Sequence, residues 1–357
     1  MSYLLAFLGF VVLIVLHETG HFVAAKAVGM RVERFSLFFG PLLVKTRRGE
    51  TDYGIGPLPL GGYVRITGMN PNEEIAPDVA DRAYCNQPVW KRIVVIAAGP
   101  AMNLLVAFAI VWALLMSNGV PVAIKRVAAV QKSAPAATAL KPGDVIVSVD
   151  GVSSSPDAIR NQIGKHTCAG AQVNNCPAAT PARIVVRRDG RSLTFDLRPR
   201  YSAADRRPLL GFSFDKGLQA VSPLRAASVT TTGLWSVTKQ TVSAVAHFVE
   251  PKDRKQLHGI VGVYTETQES FAQSTTLALE VLALISLSLA VINLFPFLPL
   301  DGGHIFWALA EKLRGRPAPF AVMERASLVG FILVICLFLI GFTNDIHTFS
   351  NGGFHIH

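Results

Sequence analysis

The chain has 357 residues, of which 50% are hydrophobic and only 16% charged, where a soluble protein of this size carries roughly a quarter charged residues. Apolar runs alternate with an ordinary polar middle, which excludes a single soluble globular domain, a disordered chain and a fibrous one. Four cysteines do not make a disulfide scaffold, and a net charge of +10 suits anionic lipid as readily as nucleic acid, so the placement of the charges must decide.

A bilayer-spanning helix needs about 20 mostly apolar residues. Residues 3–28 run YLLAFLGFVVLIVL and continue through HETGHFVAAKAV. This run lacks a basic leading region and an A-x-A cleavage site, so a retained first span is expected rather than a signal peptide. Residues 51–68, TDYGIGPLPLGGYVRITG, alternate with many Gly and Pro. They suit a hairpin or re-entrant loop, with a plain cytoplasmic loop as the alternative. Residues 93–116, IVVIAAGPAMNLLVAFAIVWALLM, form a second span.

Residues 121–200 read as a compact β-rich unit. SAPAATALKPGDVIVSVDG (133–151) holds a short helix signal, a Pro-Gly-Asp turn and an alternating strand. RIVVRRDGRSLTFDLR (183–198) reads as two strands around Asp189-Gly190, a hairpin turn signal. Cys168 and Cys176 lie in this unit, where an oxidising compartment would allow a short-loop disulfide; their distance is not given by sequence. Residues 218–250 carry an apolar pattern at Trp235, Val242, Val245 and Phe248. One or two amphipathic helices are expected, lying on the membrane surface or packed on the β-rich unit. KDRKQLHGIVGVY (252–264) leads to a third span at 277–300, and a fourth follows at 327–343. The tail ending FHIH, with three His after residue 346, reads as a frayed end rather than a metal site.

Lys and Arg set the orientation. Ten lie between residues 24 and 95, four between 301 and 327, none before Lys26 and none after the fourth span. With four spans both short basic loops fall on one side, the cytoplasmic one. Both termini and the long 117–276 segment are then extracytoplasmic. The basic loops face anionic lipid, and no interleaved aromatic and basic stripe calls for nucleic acid.

His17, Glu18 and His21 interrupt the first span in the pattern HETGH. Ionisable groups at membrane depth are costly and signal function. Histidines at i and i+4 face the same way on a helix, so two imidazoles can reach one ion. Glu18 lies about 100° away, close enough to act on water rather than to ligate. Zinc fits such a pair, and a catalytic zinc wants a third protein ligand. His17 sits roughly 21 Å along its helix, in the cytoplasmic half. The third span runs inward and ends at the same depth with Asp301 in PLDGGH. Asp301 is therefore the expected third ligand, with helix capping as its alternative role. Glu280 lies near the opposite face and reads as an interfacial carboxylate. His304, one turn beyond Asp301, reads as a supporting residue rather than a ligand.

With these motifs in place, the sequence resembles the site-2 protease family of intramembrane zinc metalloproteases, in its bacterial form of regulated intramembrane proteolysis. HETGH resembles the family's zinc motif. NLFPFLPLDGG (293–303) resembles its Asn-x-x-Pro-x-Pro-x-Leu-Asp-Gly signature, with Pro296 and Pro299 one residue further apart. GPAMN (99–103) resembles a Gly-Pro-x-x-Asn motif of the second span, and PLGGYVRITG (59–68) a membrane-associated β-hairpin. The resemblance implies one zinc ion on His17, His21 and Asp301, Glu18 as general base, and Asn293 holding substrate or stabilising an oxyanion. Asn103, Gly61, Gly62 and Tyr63 are candidate substrate contacts. Either asparagine could instead be helix glue. The stretch LKPGDVIVSVDG resembles a single PDZ domain, which would bind peptide ends or exclude bulky substrates.

The expected fold is thus a polytopic α-helical membrane protein of about four transmembrane helices, with a membrane-associated β-hairpin and an inserted extracytoplasmic β-rich PDZ-like domain. The expected divisions are a membrane core at 1–120, the PDZ-like domain at 121–202, an amphipathic connector at 203–276 and a second membrane core at 277–357. The resemblance implies a multi-pass protein of the cell's inner membrane that hydrolyses transmembrane segments of single-span proteins such as anti-sigma factors. Membrane lipids and an upstream site-1 protease acting on the same substrate are its implied partners. A catalytically silent PDZ scaffold and a metal transporter are the alternatives; intact Glu18 weighs against the first and the lack of paired inverted repeats against the second.

Overall fold

The computed structural model describes residues 2–70, 73–246 and 260–350. Along the chain the helices are α1 (Ser2–Ala27), α2 (Val89–Asn118), α3 (Pro156–Gly164), α4 (Pro223–Ala246), α5 (Ile260–Gln273), α6 (Thr275–Asn293), α7 (Asp301–Arg314) and α8 (Phe320–Ser350). The strands are β1 (Val32–Phe39), β2 (Val44–Arg48), β3 (Thr51–Ile55), β4 (Leu58–Ile66), β5 (Val120–Val130), β6 (Val145–Val149), β7 (Ala182–Arg188), β8 (Arg191–Leu197), β9 (Arg200–Ser202), β10 (Arg207–Leu209) and β11 (Phe212–Gln219). The chain forms two compact units, Met1–Leu114 together with Pro223–His357, and Leu115–Ser222.

In the first unit, α1, α2, α6 and α8 are long and apolar enough to cross a bilayer. Their exposed Leu, Phe, Val and Ile are what a lipid-facing surface requires. Where α1 meets α2 the contact is made by small residues. A Cβ on Gly20 would collide with the Ala98 carbonyl, and one on Gly99 would fall on the His21 ring. Without a hydrophobic driving force in lipid, such close backbone approach is the main source of helix association. Pro100 removes one rung of the α2 hydrogen-bond ladder in the same turn.

The expected hairpin at 51–68 is part of something larger, a four-stranded sheet in the order β2-β3-β1-β4. β1 runs parallel to β3 and antiparallel to β4, with Phe35 opposite both Tyr53 and Val64. The strands that complete it, β1 and β2, come from residues 32–48 and are separated by a turn at Gly40-Pro41, with Gly40 at positive φ. The sheet is anchored by an apolar cluster of Ala25, Met30, Val32, Ile66 and Val95, which joins the end of α1, the strands β1 and β4 and the first turns of α2. At its far end Phe39, Leu43, Val44, Ile55 and Leu58 stay exposed.

The third span is helical only to Asn293. Residues 294–300, with Pro296 and Pro299, leave the helix before α7 starts at Asp301. The fourth span is longer than the expected 327–343. Helix α4 buries Ala226, Thr230 and Leu234, with Leu234 in a cluster with Ala107, Leu287 and Val291, while Trp235 faces outward. Phe248, residues 252–259 and the FHIH tail lie outside the described residues.

The second unit is a five-stranded sheet in the order β11-β5-β6-β7-β8 with α3 packed on it. Its core joins Val127, Ile146, Ile159, Ile184, Val186 and Phe214. The β7–β8 hairpin turns at Asp189-Gly190 as the sequence reading expects, both residues with positive φ. The unit runs past residue 202. Residues 203–222, read as the start of a connector, supply β10 and the edge strand β11, because Phe212 and Phe214 alternate into the core against β5. Cys168 and Cys176 form a disulfide with their Cα atoms 6.1 Å apart. A buried bidentate pair of Asp144 with Arg188 (2.7 Å) ties the turn before β6 to β7.

Candidate metal centre

The site is assembled within the first unit from α1, α2, β4, the end of α6 and the start of α7. His17 and His21 are one helical turn apart on α1, and their Nε2 atoms lie 3.2 Å from each other. Asp301 Oδ2 is 3.3 Å from His17 Nε2 and 3.5 Å from His21 Nε2. Among the described residues this is the group of His, Cys, Asp and Glu side chains whose ligand atoms converge within 4.8 Å.

The start of α7 explains how Asp301 reaches them. It is the first residue of its helix, and the capping position belongs to Leu300, which has no side-chain cap. Its carboxylate is therefore not used as a cap. Gly302 and Gly303 follow, and a Cβ on either would strike the backbone of residues 294–298. Only glycine lets the non-helical stretch fold so tightly over the first turn of α7.

The two rings are held from behind. His21 Nδ1 lies 2.9 Å from the Val95 carbonyl oxygen, to which it donates. This fixes the tautomer and leaves the Nε2 lone pair facing Asp301. His17 Nδ1 lies 3.2 Å from the Asn103 amide, whose Oδ1 is otherwise buried without a partner. With the amide turned so that Oδ1 accepts from Nδ1–H, both groups are satisfied and the Nε2 of His17 is also a free acceptor. Ser286 in turn donates to the Asn103 backbone carbonyl at 2.8 Å, tying α6 to α2.

Three lone-pair atoms thus meet at one point, and Asp301 Oδ2 is buried with no hydrogen-bond donor among the described residues. A single proton could serve only one of the three pairs. A cation serves all of them, and two imidazoles plus one carboxylate with an open fourth position is a donor set suited to catalytic zinc.

A cavity of about 480 Å³ opens on this point. It is lined by His17, Glu18, His21, Asn103, Asn293 and Asp301, together with Gly61, Gly62 and Tyr63 of β4. All the sequence-derived candidates therefore share one space. Glu18 and Val64 of β4 line this cavity together. A Cβ on Gly62 would stand 2.9 Å from the Glu18 side chain and 3.0 Å from the Ser36 carbonyl, so glycine there lets β4 lie against the helix. Tyr63 stacks on Phe39 at 5.7 Å and accepts from Arg34 at 2.8 Å. His304 is not part of this cavity; it lines a neighbouring one of about 700 Å³ with Tyr84, Arg92, Trp307 and Glu311. Glu280 is exposed on α6. Sequence reasoning did not find Val95, Ser286 or Phe39. Only the small residues Gly20 and Gly99, inside the two quoted motifs, signal the helix contact that brings Val95 to His21.

The model of peptidase family M50 matches residues 5–337. The chain is 30% identical over 397 residues to zinc metalloprotease Rip1 of Mycobacterium tuberculosis, with 95% of each chain covered. Rip1 of Mycobacterium bovis matches to the same extent. The protein all3971 of Nostoc sp. is 34% identical over 361 residues, covering 94% of this chain and 93% of that protein.

Proposed function

The chain belongs to peptidase family M50, and from that premise we propose a zinc metalloendopeptidase that cuts membrane-spanning segments of other proteins. The observation that carries the reading is the meeting of His17, His21 and Asp301 on a helix apolar enough to span a bilayer. These three residues would hold the ion. When bound, zinc supplies a Lewis acid and a water acidic enough to ionise near neutral pH.

The chain's own residues do the rest. Glu18, one residue from His17 and inside the same cavity, takes a proton from the attacking water and returns it to the leaving amine. Gly62 lets β4 lie against its side chain. The Asn293 amide, at the last turn of α6 on the cavity wall, donates to the oxygen of the scissile carbonyl. Asn103 orients His17 from behind. A transmembrane helix hides its carbonyls in its own hydrogen bonds and must be unwound before cleavage. Support for how this happens comes from β4, which among the described residues pairs only with β1 and lines the cavity with Gly61, Gly62 and Tyr63 along its length. An unwound segment adds to that free edge as a further strand and brings its carbonyl into the cavity beside Glu18 and Asn293.

In this reading the second unit is a PDZ-like module outside the cytoplasm, and its disulfide suits an oxidising compartment. It binds freed peptide ends or excludes substrates with bulky ectodomains. The basic short loops support a bacterial inner-membrane location with both termini outside. The substrates are single-span proteins of the anti-sigma-factor kind, shortened beforehand by a site-1 protease.

The test compares wild type with E18Q on a model transmembrane substrate in detergent. Wild type cleaves and a chelator abolishes cleavage. E18Q keeps its zinc and cleaves at least about 100-fold more slowly. Undiminished cleavage by E18Q rejects Glu18 as the base. Zinc-loaded wild type that cuts no transmembrane substrate rejects the peptidase and favours a scaffold.

A further inference from the structure

Arg92 and Glu311 lie outside the site cavity, far apart in sequence. They form a bidentate ion pair, Nη1 to Oε2 at 2.9 Å and Nη2 to Oε1 at 2.5 Å. The Arg92 side chain is 12% exposed and that of Glu311 23%. The Nε of Arg92 is buried with no hydrogen-bond partner among the described residues, so the guanidinium depends on this carboxylate.

Both charges sit at the wrong ends of their helices. Arg92 is in the first turn of α2, where an anion is favoured, and Glu311 is in the last turn of α7, where a cation is favoured. Helix stability alone would choose the opposite signs. The pair is instead placed to join elements. α2 carries Val95 and Asn103, which hold the backs of His21 and His17. α7 begins with Asp301. The Arg92 guanidinium also lies 6.0 Å from the centre of the Tyr84 ring. The Tyr84 backbone N–H bonds to the Thr67 carbonyl just after β4 at 2.8 Å. One cation thus bridges α2 to α7 directly and sits beside Tyr84, whose backbone is tied to the residue after β4.

We propose that Arg92 and Glu311 are positioning residues, a strut between α2 and α7 that sets the distance of the Asp301 carboxylate from the histidine pair. The proposal rests on the reading of His17, His21 and Asp301 as metal ligands. Residues that orient ligands from outside the first contact layer are commonly worth about 10- to 100-fold in metal affinity or activity. The strut acts on kcat and on metal retention, and leaves substrate binding alone.

The experiment uses full-length protein in detergent: wild type, the near-isosteric E311Q, R92A, the swap R92E/E311R, and R183A at an exposed pair in the second unit as control. Zinc retention under chelator competition is read beside kcat and KM on a model transmembrane substrate. E311Q and R92A are expected to lose about tenfold or more in zinc affinity and in kcat, with KM within about twofold. The swap, which also suits both helix dipoles, restores zinc affinity to within about threefold of wild type. R183A changes nothing. E311Q with wild-type zinc retention and kcat overturns the strut. So does a folded swap that stays as defective as the single variants. If R92A does not fold, E311Q and the swap decide. Wild type that holds no zinc overturns the ligand reading itself, an outcome distinct from zinc-replete variants, which overturn only the strut.

Discussion

The carboxylate of Asp301 lies 3.3 Å from the Nε2 of His17, although nearly the whole chain separates the two residues. The amide of Asn103 touches the other nitrogen of the same ring. Asn103 therefore chooses which imidazole nitrogen faces Asp301. Replacing it by Ala leaves the tautomer free and is expected to cost about 10- to 100-fold in kcat and zinc affinity. N103D keeps an acceptor for Nδ1–H and retains more of both. Chelator-competition titrations with steady-state cleavage check the order wild type, N103D, N103A.

Gly99 is the place where α2 lies against the His21 ring, and an added methyl there has no room. G99A should displace the ring or part the helices, releasing zinc and abolishing cleavage while the protein still inserts in membranes. Gly233 on α4 has no atom within reach of a new Cβ. G233A should leave activity intact and raise stability by up to about 1 kcal/mol. Thermal unfolding and zinc content of the two variants, measured side by side, check the contrast.

Gly62 keeps β4 against Glu18. In G62A the strand must shift away from the carboxylate, by a few tenths of an ångström or more. Zinc content should be unchanged, because none of the three ligands is on β4. The proton transfer and the docking of substrate both suffer, so kcat falls and KM rises. Metal analysis alongside kcat and KM separates this result from that of G99A.

In the second unit, the Arg188 guanidinium bound to Asp144 holds that carboxyl below the ordinary aspartate range. The folded value is depressed, so the pair contributes stability that is present above the unfolded value of about 3.9 and is lost as the pH falls through the folded one. R188M leaves Asp144 buried and unpaired, at a cost of about 3 kcal/mol near neutral pH. The gap between wild type and R188M should narrow below about pH 4. Denaturation midpoints across pH 3–7 check it.

The parts of this molecule that could be read from sequence are those whose information is local. HETGH declares its geometry because helical spacing alone puts two imidazoles on one face. Asp189-Gly190 announces a hairpin. The four-stranded sheet was only half visible, because β1 pairs with β3 and β4, neither of which follows it directly in the chain, and local turn residues such as Gly40-Pro41 do not reveal such partners. The reach of the second unit to Ser222 was hidden for the same reason: β11 belongs to it only through its pairing with β5. Within the site, ligand types were legible but their supports were not. Val95 contributes a backbone carbonyl, which any residue carries, and Ser286 is one small polar residue in an apolar helix.

X-ray absorption at the zinc edge, with metal content, on detergent-purified wild type and D301A tests the shared ion most directly. Wild type should hold one zinc per chain, with two imidazole nitrogens and carboxylate oxygen at about 2.0–2.2 Å. D301A should lose the ion or the oxygen ligand and bind it at least tenfold more weakly. Wild type without zinc, or D301A with the same occupancy and the same spectrum, would contradict a metal centre built by His17, His21 and Asp301.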